Sequence, residues 1–228
     1  MTTTIFTPLM LRNGTRGVPE MPRGGGGGGS LATVSNAISM AFNGVDSSFS
    51  YDEYNLTRNN TISLWYYRSS GTTDVLVGQS ANNAWYDYTI RLASDGGIKY
   101  AVEGVASVID FNSGATKALA GALNVWISLI IVRTGDDAVC YVNGQDNDGV
   151  QTFSNGTNNI VTDRLGVAGD GTSFPFGGFM DEVAFFTASL DAPTVESIYS
   201  ASLPLGSNVT ADLSTLSTPP VAWYRMGD

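Results

Sequence analysis

The chain has 228 residues, 43% apolar, 11% aromatic and only 14% charged, with a formal net charge of −10. It has no histidine and one cysteine, Cys140, which excludes Ser-His-Asp and Cys-His catalysis, HExxH zinc sites, His-based pH switching, intrachain disulfides and multi-cysteine zinc sites. The acidic balance argues against nucleic acid and anionic membranes, which attract basic patches, and leans toward divalent cations. Glycine numbers 27, and Lys99 and Lys117 are the only lysines. That composition, rich also in Asn, Ser and Thr, suits a turn-rich β protein better than a helical one.

The first 23 residues read as an arm. Its apolar Ile5-Phe-Thr-Pro-Leu-Met-Leu11 could be an edge strand, since Pro8 cannot donate to a ladder. The stretch lacks a basic region before a hydrophobic core, so it does not resemble a secretory signal, and synthesis in the cytoplasm is expected. Residues 24–30 form a linker with six consecutive glycines. An apolar strand on a flexible tether is what strand addition to a neighbour's sheet requires, so Ile5, Phe6, Leu9 and Leu11 are candidate assembly residues. The sequons at Asn13, Asn55, Asn59, Asn155 and Asn208 are expected by chance in so Asn- and Thr-rich a chain.

From Leu31 to about residue 204 short strands recur between Gly, Asn and Asp turns. Ala37–Phe42 and Thr61–Tyr67 alternate, and Asp74–Gly78 is short. In Trp85–Leu92 the alternation puts Tyr86, Tyr88, Ile90 and Leu92 on one face and Trp85, Asp87, Thr89 and Arg91 on the other. A Ser94-Asp-Gly-Gly97 turn leads into Ile98–Val102. Val125–Val132 is almost wholly apolar, as for a strand covered on both faces, and is far shorter than the ~20 residues of a membrane span. Ala138–Val142, Arg164–Val167 and Gly178–Phe186 follow. One helix is expected, capped by Asp191, with Pro193 in its first turn and Val195, Ile198 and Tyr199 on one side. Residues 205–228 read as an extension ending in a strand, Val221–Met226. Cys140, with no Lys or Arg beside it in sequence, is expected to be a small buried residue.

Four segments resemble the laminin-G-like, concanavalin-type jelly roll over residues 38 to 201: Phe42-Asn-Gly-Val-Asp46, Thr61-Ile-Ser-Leu-Trp65, Trp126 with Ala138-Val-Cys-Tyr-Val-Asn-Gly144, and Gly178-Phe-Met-Asp-Glu-Val-Ala-Phe-Phe186 with its following helix. The resemblance implies an all-β fold, a two-sheet antiparallel jelly-roll sandwich, here with one short C-terminal helix and an extended N-terminal arm. The closing Val221-Ala-Trp-Tyr-Arg-Met-Gly-Asp228 is similar to an element that opens or joins such modules in bacteriophage-type structural proteins.

This fold hosts glycosidases, lectins, adhesion domains and spacers, so function rests on residues. No Glu-x-Asp-x-x-Glu strand occurs. Glu182 is expected to face away from Asp181, which leaves no paired carboxylates to flank a glycosidic bond, so no enzymatic activity is expected. The resemblance implies a structural calcium held by Asp46 and Asp181 with carbonyls near Asn43 and Gly44. A second cation candidate is Asp146 with Asp148 in the loop 143–149, which lacks EF-hand spacing. Trp85, Asp87 and Arg91, extended by Tyr67, supply the aromatic and polar groups of a carbohydrate platform. Two functions are therefore expected in order. The first is a virion or filament component, a homo-oligomer in a phage fibre, tail or decoration. The second is a free-standing, calcium-dependent lectin-like module for cell-surface glycans.

Overall fold

The computed structural model describes residues 31–36, 39–79, 88–102, 107–202 and 209–226. The assembly residues Ile5, Phe6, Leu9 and Leu11, the glycine run, Trp85 and Asp87 lie outside these. The strands are β1 (Thr33–Ser35), β2 (Met40–Asn43), β3 (Phe49–Leu56), β4 (Asn59–Arg68), β5 (Asp74–Gly78), β6 (Tyr88–Leu92), β7 (Ile98–Ala101), β8 (Val108–Phe111), β9 (Trp126–Thr134), β10 (Asp137–Val142), β11 (Gln145–Asp146), β12 (Gln151–Thr152), β13 (Ile160–Leu165), β14 (Gly177–Phe186), β15 (Val209–Ala211) and β16 (Ala222–Tyr224). Helix α1 (Gly114–Ala120) precedes β9, and α2 (Ala192–Ala201) follows β14.

The strands form two main antiparallel sheets packed face to face. The larger runs β11-β10-β9-β4-β14-β16, with β12 also on β10 and β2 also on β14, and the smaller runs β3-β13-β5-β6-β7-β8. Between them lies the main core. Ile62, Leu64, Tyr66, Ile127, Leu129, Ile131, Met180, Val183 and Phe185 of the larger sheet meet Leu76, Val77, Ile90, Leu92, Ile98, Tyr100, Ile109 and Phe111 of the smaller. Alternate residues of β4 and β9 reach this core because strand side chains alternate faces. The other face of β9 is also covered: Ile130 and Val132 pack with Ala184 and Phe186 beneath Val195 and Ile198 of α2. That double burial explains its nearly unbroken apolar run. Cys140 is buried in the main core, and burial pushes its thiol pKa up.

Two arginines reach into the interior. Arg68 is fully buried and its Nε pairs with Asp74 at 2.9 Å. Arg133 is fully buried without a carboxylate, donating to the carbonyls of Gly135, Asn158 and Gly156, with its guanidinium 4.9 Å from the Phe153 ring centre. At Gly178, with φ of 151°, an added Cβ would lie 1.9 Å from the Tyr67 carbonyl oxygen, so β4 and β14 approach there only because the residue is glycine.

The C-terminal helix has the expected cap. Asp191 accepts from Thr194 N at 2.9 Å, and proline stands in the first turn. A second helix, α1, was not expected. Its seven residues are too few to display a period, and it is capped by Ser113. Strand β3 was also missed, for a reason visible in its register. Thr162 faces Tyr54 and Arg164 faces Ser50, and the irregularity between them breaks the alternation of Phe49, Tyr51 and Tyr54 around Asp52 and Glu53. The terminal Ala222–Tyr224 pairs with β14 in the larger sheet, and Tyr224 packs on Phe49, Tyr51 and Phe185. Strands β2 and β16 lie along the same side of β14, opposite Gly177–Met180 and Val183–Phe185 respectively.

Candidate ligand-binding face

The outer face of the smaller sheet carries a row of polar side chains. Val75 pairs with Arg91, Arg91 with Lys99, and Lys99 with Asp110, so these residues share one face across four strands. Lys99 is ion-paired to Asp110. Tyr88 joins this face, contrary to the simple alternation. The β5–β6 register shifts between Val77, opposite Ile90, and Gly78, opposite Tyr88. A shift of one residue reverses a side chain's face. Ile90 and Leu92 therefore enter the main core, while Tyr88 packs with Val75, Ala101 and Ala168.

The Arg91 guanidinium lies over Tyr88, 4.6 Å from its ring centre, and 5.5 Å from that of Phe174. Phe174 is 42% exposed and has a φ of 52°. A bulky residue in that region needs a surrounding structure that enforces it. Here the Phe174 carbonyl accepts from Val75 N at 2.9 Å. The preceding turn is closed by Asp170, which accepts from Thr172 N at 2.8 Å and Ser173 N at 2.7 Å and also from the Ser173 hydroxyl. These bonds lower the Asp170 pKa to about 2.

Arg91 stands apart electrostatically. Arg58 pairs with Asp136, Arg68 with Asp74, Lys99 with Asp110, Lys117 with Asp95 and Arg164 with Asp163. Arg133 is held by carbonyls, and Arg225 donates to the Ser35 carbonyl. Among the described residues, Arg91 alone of the basic side chains has neither ion pair nor hydrogen bond, and its Nε is buried without an acceptor. An exposed ring, a guanidinium in contact with two rings and a neighbouring ion pair can stack on a pyranose face and hydrogen-bond its hydroxyls.

The structure separates several residues that the sequence grouped. Tyr67 lies on the outer face of the other sheet, against Trp126 and Phe179, at centroid distances of 5.8 and 5.6 Å, so it does not extend the Arg91 platform. Phe174 completes that platform instead, while Tyr88 is buried beneath Arg91. The sequence signal for Phe174 is an aromatic residue set among the turn formers Asp170-Gly-Thr-Ser.

Asp46 and Asp181 are not brought together either. Asn43 pairs with Gly177, four residues before Asp181, which is ~13 Å along an extended strand. The early turn is closed internally. Asn43 Oδ1 accepts from the amides of Val45, Asp46 and Ser47, its Nδ2 donates to Asp46, and Gly44 takes a positive φ of 72°. In the second loop, Asp146 accepts from Gly149 N at 2.8 Å. Asp148 caps the start of α1, taking Asn112 N at 3.0 Å, Ser113 N at 2.8 Å and the Thr116 hydroxyl. Among the described residues no group of three or more Asp, Glu, His or Cys side chains is placed to hold a metal ion.

Asp181 and Glu182 correct another expectation. Glu182 takes a φ of 52° where the β14–β4 register slips between Asp181 and Ala184, and both carboxyl groups accept from the Asn36 amide. The bulge cancels the alternation, so the pair shares one side. Both residues are buried, and Trp223 Nε1 donates to Glu182 Oε2 at 2.6 Å. Burial, and next the neighbouring Glu182 charge, push the Asp181 pKa up to about 8. Their oxygens are turned to Asn36 and Trp223 of the two terminal segments, not to an open cleft.

With this geometry in place, comparison with known proteins gives the class. A laminin G-type family model of the concanavalin A-like lectin/glucanases superfamily matches residues 42–196, and the chain belongs to that family. No curated protein matches it in sequence. Solved structures share the fold at low identity. A heptameric SAP-like pentraxin from Limulus polyphemus has 17% identity and a TM-score of 0.52, covering 71% of this chain and 81% of its own. Domain 4 of AbnA, an extracellular arabinanase from Geobacillus stearothermophilus in complex with arabinotriose, has 19% identity and a TM-score of 0.53, covering 74% and 81%. A putative carbohydrate-binding protein from Bacteroides ovatus has 11% identity and a TM-score of 0.55, covering 86% of this chain, which spans about half (52%) of that one.

Proposed function

We propose that this domain binds carbohydrate without transforming it, through the outer face of the smaller sheet. The observation that carries the reading is Phe174, exposed at the surface within 5.5 Å of the partnerless Arg91 guanidinium, which lies over the buried Tyr88. An exposed ring held in a costly backbone conformation is more than is needed to cover a sheet. Support of a general kind comes from the neighbours with sugar-binding descriptions, the arabinanase domain and the Bacteroides protein. The absence of catalysis is part of the proposal: the adjacent carboxyl groups of Asp181 and Glu182 are buried and bonded to Asn36 and Trp223.

The virion or filament reading, with its homo-oligomer, leans on residues 1–30, which lie outside the described part, and on the closing Trp-Tyr-Arg element, which this fold uses as β16. The sugar-binding reading rests on described side chains and is preferred. It is tested by a glycan array followed by titration calorimetry, with calcium and with chelator, on the wild type, Phe174→Ala and Tyr67→Ala. Binding that falls about tenfold or more in Phe174→Ala and is unchanged in Tyr67→Ala supports the reading. No binding across the array under either condition overturns it.

A further inference from the structure

We infer that the saccharide bound at Arg91 is an anionic one, carrying a carboxylate or sulfate that Arg91 takes in its guanidinium fork. This rests on the sugar-binding reading above and names its ligand class. A guanidinium presents five donors in a planar fork that matches a planar carboxylate or a sulfate edge in two parallel hydrogen bonds. Here every other basic side chain described has an acceptor, and Arg91 has none, in a chain whose acidic residues outnumber the basic ones 21 to 11. Contact with the Tyr88 ring at 4.6 Å and the Phe174 ring at 5.5 Å restricts the guanidinium without consuming its hydrogen bonds. Its orientational entropy is thus partly lost before a ligand arrives, which favours binding.

The neighbouring charges sharpen the argument. Across the strand, Lys99 is neutralised by Asp110, so the row offers one free positive charge and not a basic patch. The net charge of −10 repels anions at long range. Recognition must therefore come from contact at Arg91, through one acidic group per site, with the exposed Phe174 ring against the apolar face of the same or the adjoining sugar ring and the buried Tyr88 supporting Arg91 from beneath. A densely sulfated polymer gains little beyond one sulfate in such a site. A polyuronate offers a carboxylate and a ring face on each residue.

The test is titration calorimetry of the whole chain with a tetragalacturonate, its methyl ester and a heparin tetrasaccharide, on the wild type, Arg91→Gln and Arg91→Lys. The expected result is that an acidic oligosaccharide binds at least about tenfold more tightly than the neutral ester. Arg91→Gln is expected to erase that preference, and Arg91→Lys to restore only part of it because the fork is lost. Tetragalacturonate and heparin together separate carboxylate from sulfate as the source. Equal binding of acid and ester, unmoved in Arg91→Gln, overturns the inference and leaves sugar binding standing. Failure of all three probes together with a blank array overturns both. A far-ultraviolet dichroism spectrum and a melting temperature unchanged in Arg91→Gln tie its loss to the missing fork.

Discussion

Trp223 Nε1 donates to Glu182 Oε2 at 2.6 Å, and so ties the last strand to the bulge of β14. The acceptor is a buried carboxyl oxygen, whose abandonment costs more than a typical surface bond. Replacing Trp223 with Phe keeps most of the apolar contact and removes the donor. The expected loss is about 2 kcal/mol of unfolding free energy, read by urea denaturation. A midpoint equal to that of the wild type would show that strand pairing alone holds β16.

Asp181, beside this contact, makes the fold sensitive to alkali. Its pKa is about 8 in the folded state, against 3.8 as the unperturbed value. A raised folded pKa means the native state holds the proton more tightly, so its contribution is complete below pH 3.8 and is lost as pH rises through about 8. The melting temperature is expected to decline across that window in the wild type. In Asp181→Asn, which stays neutral, the decline should shrink, leaving the variant the more stable of the two at pH 8.5. Parallel melting curves for the two proteins over the whole window would contradict this assignment.

Asp170 acts in the opposite sense, and on the ligand face. Its folded pKa is depressed to about 2 by bonds from Ser173 and Thr172, so its contribution is present above 3.8 and is lost as pH falls toward 2. Those bonds close the turn that presents Phe174. Asp170→Ala is expected to cost roughly 1 kcal/mol and to weaken glycan binding at neutral pH. The wild type should show the same weakening on acidification, measured by calorimetry with a neutral oligosaccharide. Full binding by Asp170→Ala would mean that the Phe174–Val75 bond alone positions the ring.

Arg133 tests how the far end of the core is closed. Its three nitrogens donate to the carbonyls of Gly135, Asn158 and Gly156, and its guanidinium lies over the Phe153 ring. Arg133→Met keeps apolar bulk and leaves those carbonyls without their donor, for an expected loss of about 3 kcal/mol. Arg133→Lys should fall between, since an ammonium cannot serve three acceptors spread around a planar fork. Amide exchange is expected to quicken first in residues 154–159. Unchanged stability in Arg133→Met would show that water satisfies the loop instead.

Much of this architecture was legible in the linear chain because its signals are local. The run through Ile127–Val132 marked a strand covered on both faces, and Asp191 with Pro193 marked the start of α2. The absence of histidine and the solitary Cys140 removed whole classes of chemistry at once. What the chain hid was wherever one residue is inserted or one turn is too short. A register shift moved Tyr88 to the outer face, a bulge at Glu182 brought it beside Asp181, and α1 is only seven residues long. Periodicity assigns faces only while the register holds, and each slip reverses every assignment beyond it. The grouping of Arg91 with Phe174, and the parting of Arg91 from Tyr67, depended on which sheet each strand joined. Residues 83 apart in sequence meet there because the two-sheet fold lays the turn before β14 over β5 and β6, a long-range choice that no local pattern encodes.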